Sequence, residues 1–205
     1  MYIWIGKGGD MRKVYGVGIN DADYATQRNV VVGGKQKLDW RCPYYVTWVC
    51  MLKRCYSEEH QKRFPTYVGC TVTEEWKTFS NFKAWMETQS WEGMELDKDL
   101  LVNGNKEYSP SACVFIPRVL NGFMTDHGTA RGDLPIGVSL IAGKYQARCR
   151  NPFTKKQEYL GLFSCPQEAH LAWKAKKAEH AKRLAEEQTD ERVKNALLER
   201  YPMPD

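Results

Sequence analysis

The sequence contains no long hydrophobic run, and no apolar stretch approaches the roughly 20 residues that a membrane-spanning helix needs. Its first residues, Met1–Lys7, also lack the basic segment and apolar core of a secretory signal. Charged residues make up 27% of the chain, while 7 Trp, 7 Phe and 11 Tyr residues offer ample material for a core. We therefore expect a globular protein of the cytoplasm, and neither a membrane protein nor a disordered one.

The seven cysteines form no Cys-x-x-Cys pair, which argues against a zinc ribbon or zinc knuckle. Two interpretations stay open. Four cysteines could converge on a metal ion, or the thiols could be buried and reduced, as is common in cytosolic proteins. These four are Cys42, Cys50, Cys55 and Cys70. We expect reduced thiols and no zinc.

Acidic residues are scarce in the C-terminal part of the chain. Between Lys144 and Arg183 there are ten Lys or Arg residues against three Glu, although the whole chain carries a formal charge of only +5. Such a local excess is typical of a surface that binds a polyanion, and nucleic acid is the first candidate. The alternative is a solvated, lysine-rich helix face.

Hydrophobic periodicity predicts an α+β fold. Helical spacing predicts helices over Tyr44–Tyr56, over Thr73–Met86, from Ser164 to about Gln188, and over Asp190–Tyr201. In the third of these, Ser164 and Gln167 match a capping box. Strand-like runs are found at Lys13–Ile19, Asn29–Val32, Ile136–Leu140, Lys144–Arg150 and Glu158–Phe163.

Alternation within Lys144–Arg150 predicts which side chains share a strand face. Tyr145, Ala147 and Cys149 fall on one face, and Gln146, Arg148 and Arg150 fall on the other. The first set is expected to pack on a helix, which leaves the second set available to a ligand.

The most informative stretch is Leu96–Phe115, which has the outline of two strands joined by a turn. Asp97 ends a short apolar segment, a Gly/Asn turn follows, and Cys113–Ile116 forms the second strand. Pro117 then opens a short helix that carries Asn121.

The span from Tyr44 to Asn121 resembles the HNH endonucleases of phages and mobile elements. Trp48–Tyr56 resembles their entry helix, and Val72–Trp85 is similar to the helix before their nuclease core. The core is matched by Leu96-Asp97-Lys98, Gly104-Asn105, Tyr108-Ser109-Pro110 and Cys113. The resemblance implies a ββα core whose first strand supplies a metal ligand and a general base. Asp97 and Asn121 would then hold Mg²⁺ or Mn²⁺.

The sequence differs from the HNH family at the positions of the catalytic residues. The residue after the first acid is commonly His in HNH enzymes, but here it is Lys98, which is protonated at neutral pH and a poor base. The middle position, often Asn, is Ala112. Asp99 or His127 could replace the base, so the candidate catalytic residues are Asp97, Lys98 and Asp99. Since loss of a general base typically costs about a hundred- to ten-thousand-fold in rate, two outcomes stay open: slow nicking, or a scaffold retained for DNA binding.

The span from Gly137 to about Glu179 resembles the ethylene-response-factor type of DNA-binding domain, which phage homing endonucleases also carry. The matching residues are Gly137-Val138, Gly143-Lys144-Tyr145, Ala147, Arg150, Leu160-Gly161, Phe163 and Glu168-Ala169. The resemblance implies a three-stranded antiparallel sheet in the DNA major groove, backed by one long helix. The DNA-facing residues would be Ser139, Lys144, Gln146, Arg148 and Arg150. Lys174 and Lys177 on the basic helix would help to neutralise phosphates.

These features predict a phage-type protein of the host cytoplasm that binds double-stranded DNA and has weak or lost metal-dependent cleavage. The predicted parts are a Gly-rich segment over 1–43, an HNH-like domain over 44–126, a DNA-binding domain over 134–188, and a C-terminal helix and tail over 189–205. Two alternatives stay open: an active HNH endonuclease or nickase, and a phage protein that binds and modulates a host protein through these folds. RNA binding is disfavoured because the aromatic residues fall on predicted core faces.

Overall fold

Helices and strands are both abundant in the computed structural model, which describes residues 13–125 and 133–204. The predicted α+β class is therefore confirmed. In chain order the elements are β1 (Gln27–Val32), β2 (Lys35–Arg41), α1 (Pro43–Tyr56), α2 (Glu58–Arg63), β3 (Thr71–Val72), α3 (Phe79–Glu87), β4 (Met94–Asp97), β5 (Glu107–Tyr108), β6 (Val114–Pro117), α4 (Arg118–Met124), β7 (Val138–Ile141), β8 (Lys144–Arg150), β9 (Gln157–Phe163), α5 (Pro166–Glu186) and α6 (Glu191–Arg200). Short 3-10 helices occur at Pro65–Tyr67 and Glu74–Lys77.

The chain divides into two structural units. The first contains the residues up to Glu92 together with Val102–Phe115, and the second contains Gly93–Leu101 and the residues from Ile116 onward. The predicted segment over 1–43 falls partly outside the described residues, which begin at residue 13.

The core of the first unit is built by α1 and α3. Both helices place large apolar side chains at helical spacing, and Trp48, Leu52, Phe79 and Phe82 are fully buried. The indole Nε1 of Trp48 donates a hydrogen bond to the carbonyl oxygen of Trp76 over 2.7 Å, so the buried ring keeps its polar group satisfied. The predicted helix over Tyr44–Tyr56 is confirmed, and the aromatic stripe of the next helix lies in the core, as expected.

The single helix predicted over Thr73–Met86 is wrong, because the helix is interrupted at Thr78. Residues Glu74–Lys77 form a 3-10 helix, and α3 begins at Phe79. Ile19 explains the break, because its N–H donates to the carbonyl of Lys77 over 2.8 Å and its carbonyl accepts from the N–H of Phe79 over 3.0 Å. The strand predicted over Lys13–Ile19 is also wrong: this segment makes a tight turn from Val14 to Gly18 and then this bridge.

Strands β1 and β2 form an antiparallel hairpin in the first unit. Valines at positions 30–32 favour the extended conformation, and Gly33 and Gly34 join the strands with positive φ values of 58° and 77°. Two consecutive left-handed residues are what the favoured two-residue hairpin turn requires. Every residue of both strands is exposed.

The second unit contains a three-stranded antiparallel sheet in the order β7-β8-β9, with α5 packed on one face. The cluster beneath α5 centres on Val138, Ala147 and Ala169. The small side chains of Ala147 and Ala169 let the helix approach the sheet closely. The three predicted strands and the long helix are confirmed, with shifts of one or two residues at their ends.

Helix α5 begins at Pro166, so the capping box predicted from Ser164 and Gln167 is wrong. Cys165 occupies the cap position, and its Sγ accepts a hydrogen bond from the N–H of Glu168. Proline suits the first helical position because it has no N–H to leave unpaired. Helix α6 packs against α5 through Val193 and Leu197, both of which are buried.

Strands β4 and β6 form a two-stranded sheet, and α4 follows β6 directly. Leu96 of β4 and Leu120 of α4 are buried apolar residues. Among the helices of the described residues, none is both long enough and apolar enough to cross a membrane.

Candidate nucleic-acid and metal sites

The β7-β8-β9 sheet presents one face away from α5, which we call the outer sheet face. Cross-strand pairs define it: Ser139 lies opposite Gln146, Arg148 opposite Tyr159, and Arg150 opposite Gln157. The register between β8 and β9 shifts between Ala147 and Arg148. The side chains of the central strand β8 still alternate between the two faces of the sheet. The outer sheet face consists of Ser139, Lys144, Gln146, Arg148, Arg150, Gln157, Tyr159 and Leu162.

Arg148 and Arg150 are exposed at the centre of the outer sheet face. Within the described residues, neither guanidinium forms an ion pair or a hydrogen bond with another side chain. An arginine without an acidic partner has all the N–H donors of its guanidinium available for a ligand, such as a phosphate or the edge of a guanine. Tyr159, 59% exposed, and Leu162, 49% exposed, add apolar surface beside these cations.

Gln146 shares the strand face of Arg148 and Arg150, but it does not project into solvent as expected. Only 9% of the residue is exposed, because it lies on the central strand between Ser139 and Leu162. Its side-chain oxygen Oε1 is buried and has no hydrogen-bond partner among the described residues. A buried acceptor left unpaired typically costs about 1–3 kcal/mol of stability.

The two lysines predicted on α5 do not join the outer sheet face, because α5 packs on the other side of the sheet. Lys174 is exposed there. Lys177 is not available to a phosphate: its ammonium donates to the carbonyl of Phe123 over 2.5 Å and lies 3.5 Å from the centre of the Phe123 ring. The prediction that Lys177 binds a phosphate is therefore wrong, because α5 packs against α4 and Lys177 is held by Phe123.

Asn121 of α4 and Glu95 of β4 are joined by a hydrogen bond, from Nδ2 to Oε2, of 2.6 Å. Among the described residues, no hydrogen bond joins Asn121 to Asp97. Glu95 and Asp97 are two residues apart on one strand, so their side chains point to the same side of β4. Glu95 also faces Arg118, with Nε and Oε1 3.7 Å apart. Glu95 is a candidate ligand that the motif does not include, although the alternation of β4 contains the signal.

The carboxylate of Asp97 is held by the backbone that follows it. Its Oδ1 accepts hydrogen bonds from the N–H groups of Asp99 and Leu100, over 2.9 and 2.7 Å. Burial raises the pKa of Asp97 above its ordinary value, and the two N–H donors oppose that rise in part. Glu95, Asp97 and the amide oxygen of Asn121 are the hard oxygen donors that Mg²⁺ and Mn²⁺ prefer. The residues present fit such an ion by type.

Lys98 is buried, with 5% of the residue exposed, and its ammonium pairs with Oδ1 of Asp99 over 2.5 Å. Lys98, a candidate catalytic residue from the sequence, therefore points into the protein. The same ion pair occupies the carboxylate of Asp99, the substitute base suggested by the sequence. His127, the other suggested base, lies outside the described residues.

The cysteines add no metal site within the described residues. All seven lie in that part of the chain, none is disulfide-bonded, and Cys42, Cys55 and Cys70 are buried. Nowhere in those residues do three or more His, Cys, Asp or Glu side chains gather as a metal site built from them would require. The four N-terminal cysteines therefore do not converge.

Comparison with protein-family models, with curated proteins and with solved structures gives no match for this chain.

Proposed function

We propose that this protein binds duplex DNA through the outer sheet face, is related to phage-type HNH homing endonucleases, and has weak or lost metal-dependent cleavage. It would act in the cytoplasm of a host cell. The observation that carries the proposal is the pair of exposed arginines, Arg148 and Arg150, on a sheet face that α5 leaves open.

Three features of this face support DNA as the ligand. First, Lys144, Arg148 and Arg150 lie on one strand face with no acidic side chain between them. Second, the central strand is held rigidly by pairing on both sides and by α5 behind it. Third, arginine on a rigid element can read guanine bidentately, which contributes roughly 1–3 kcal/mol of discrimination per contact.

The test is duplex binding by the full-length chain, measured by fluorescence anisotropy at several salt concentrations. We expect Arg148→Ala/Arg150→Ala to weaken binding and to reduce discrimination between the preferred sequence and a duplex that lacks its guanines, because each lost bidentate contact removes roughly 1–3 kcal/mol of discrimination. The matched control is Lys174→Ala/Lys182→Ala, which removes two exposed cations from α5 and should change affinity much less. If the wild-type protein showed no salt-dependent binding to duplex DNA, a host protein would become the better candidate for its ligand.

The hydrogen bond between Asn121 and Glu95 favours a second candidate function, metal-dependent nicking of DNA. Glu95, Asp97 and Asn121 would hold a divalent ion, which when bound stabilises negative charge on a leaving phosphodiester oxygen. The chain's own residues offer little further catalysis, since Lys98 is buried and paired with Asp99. We expect slow nicking of supercoiled plasmid at most with Mg²⁺ or Mn²⁺. Brisk cleavage that Asp97→Ala abolishes would instead make the protein an active nuclease.

A further inference from the structure

The β1–β2 hairpin exposes apolar side chains that a folded chain usually covers. On one face of the hairpin Val32 is 58% and Trp40 41% exposed, and on the other face Val31 is 70% and Leu38 44% exposed. A two-stranded hairpin by itself is at best marginally stable in water. A surface of this kind marks a site for a partner.

The strand register shows which side chains of the hairpin share a face. Three cross-strand pairs lie on one face, namely Arg28 with Trp40, Val30 with Lys37, and Val32 with Lys35. We call these six residues the arm face. The ammonium groups of Lys35 and Lys37 have no ion-pair partner within the described residues, whereas Arg28 is bound to Asp39 over 2.6 Å.

Charge complementarity identifies the class of partner. The hairpin carries Arg28, Lys35, Lys37 and Arg41 against the single acid Asp39. A cationic ribbon with aliphatic side chains opposite its lysines suits duplex DNA, because lysines neutralise phosphates and methyl groups contact sugars and thymine. The major groove of DNA is wide enough to admit a two-stranded ribbon.

We propose that the β1–β2 hairpin is a second DNA-binding element, an arm whose Lys35 and Lys37 contact phosphates of duplex DNA. This inference rests on the proposed function, since it assumes that duplex DNA is the ligand. It adds a contact that lies in the first structural unit, outside the β7-β8-β9 sheet. Lys35 and Lys37 lie near the tip of the hairpin and far from its base at Cys42, which closes the hairpin through its N–H and the carbonyl of Thr26 over 2.9 Å.

The experiment compares full-length proteins on one labelled 25-base-pair duplex between 50 and 200 mM salt. Lys35→Ala/Lys37→Ala should make the fall in affinity over that range about tenfold smaller than for the wild type, as expected for two lost phosphate contacts. Lys53→Ala/Lys62→Ala, which removes two exposed lysines of α1 and α2, is the matched control and should leave the salt slope unchanged. Circular dichroism should show that both double variants fold.

Three outcomes would contradict the proposal that the β1–β2 hairpin binds DNA, and they can be distinguished from one another. If the wild type does not bind DNA, the proposed function fails and the arm fails with it. If Arg148→Ala/Arg150→Ala weakens binding but Lys35→Ala/Lys37→Ala keeps the wild-type slope, the arm alone is refuted. If sedimentation shows a wild-type dimer that Val31→Glu dissociates, the hairpin binds a second copy of the chain and not DNA.

Discussion

Among the described residues, the side chain of Asn121 forms a hydrogen bond with Glu95. It forms none with Asp97, which lies two residues further along β4. If a divalent ion binds here, Glu95 is therefore a ligand as important as Asp97. We predict that Glu95→Ala and Asp97→Ala each weaken Mn²⁺ binding by about tenfold or more, since loss of a neighbouring support group alone often costs that much. Titration calorimetry would measure this effect, with the exposed Glu199→Ala as control. Unchanged affinity in Glu95→Ala would remove Glu95 from the site.

Lys98 should matter for stability and not for DNA binding. Its buried stem fills space, so Lys98→Ala should lower the free energy of unfolding by about 2 kcal/mol or more, as large-to-small core changes do. Lys98→Met keeps most of the volume and should cost less than Lys98→Ala, although both variants lose the ion pair with Asp99. Both variants should bind duplex DNA like the wild type. A loss of DNA affinity in Lys98→Met without a loss of stability would show that the ammonium reaches the ligand.

Gly137 is required by the close approach of Trp173. Its φ is +81°, and a Cβ at this position would overlap the indole ring of Trp173. Gly143 makes a matched control, since its φ is +77° but a Cβ there would meet nothing within 4 Å. We expect Gly143→Ala to cost about 1–2 kcal/mol for the left-handed backbone alone. Gly137→Ala should cost about 1–3 kcal/mol more because of overpacking, measured by urea denaturation.

We predict that Gln146 lowers the stability of the folded protein, because it places an unpaired polar side chain on the outer sheet face. Gln146→Met removes a buried acceptor that no described residue satisfies, so the melting temperature should stay the same or rise. Under the proposed function the same change should weaken binding to the preferred DNA sequence. Gln157→Met, on the neighbouring strand and exposed, is the control for a general loss of polarity. A clear fall in melting temperature for Gln146→Met would mean that Oε1 has a partner in the folded protein.

Glu158 should make the second unit sensitive to acid. Hydrogen bonds from Asn151 and from His180, each 2.8 Å long, hold the pKa of Glu158 below its ordinary value. A carboxylate with a lowered folded-state pKa stabilises the protein above about pH 4, and that contribution is lost as the pH falls through the folded-state pKa.

The matching variant is Glu158→Gln, with Glu199→Gln as an exposed control. Glu158→Gln should melt at a lower temperature than the wild type at pH 7, and the difference should shrink towards pH 2–3, where the wild-type carboxylate is protonated. Circular dichroism melts across that pH range would measure it. A difference that stays constant with pH would mean that the charge of Glu158 plays no part.

Periodicity in the sequence was sufficient to locate α1, β8 and α5 and to separate the two faces of β8. These features depend on residues within a few positions of one another, and a 3.6-residue or 2-residue repeat specifies which of them share a face. Asp97 and Asn121 were named from the resemblance to HNH endonucleases and not from a repeat, and their role as metal ligands remains a prediction. The DNA-binding role assigned to Arg148 and Arg150 remains a prediction.

Other features depend on contacts between segments that are distant in the sequence, and no local repeat predicts them. Ile19 takes the backbone hydrogen bonds of Lys77 and Phe79 and divides one predicted helix into two, although the residues of that helix favour continuity. Packing likewise buries Lys98 and Gln146, and it pairs Asn121 with Glu95. Each of these outcomes depends on which distant segment lies beside a given group. Local sequence fixes the conformations that a segment prefers, whereas the burial of a charge and the partner of a hydrogen bond are set by long-range packing.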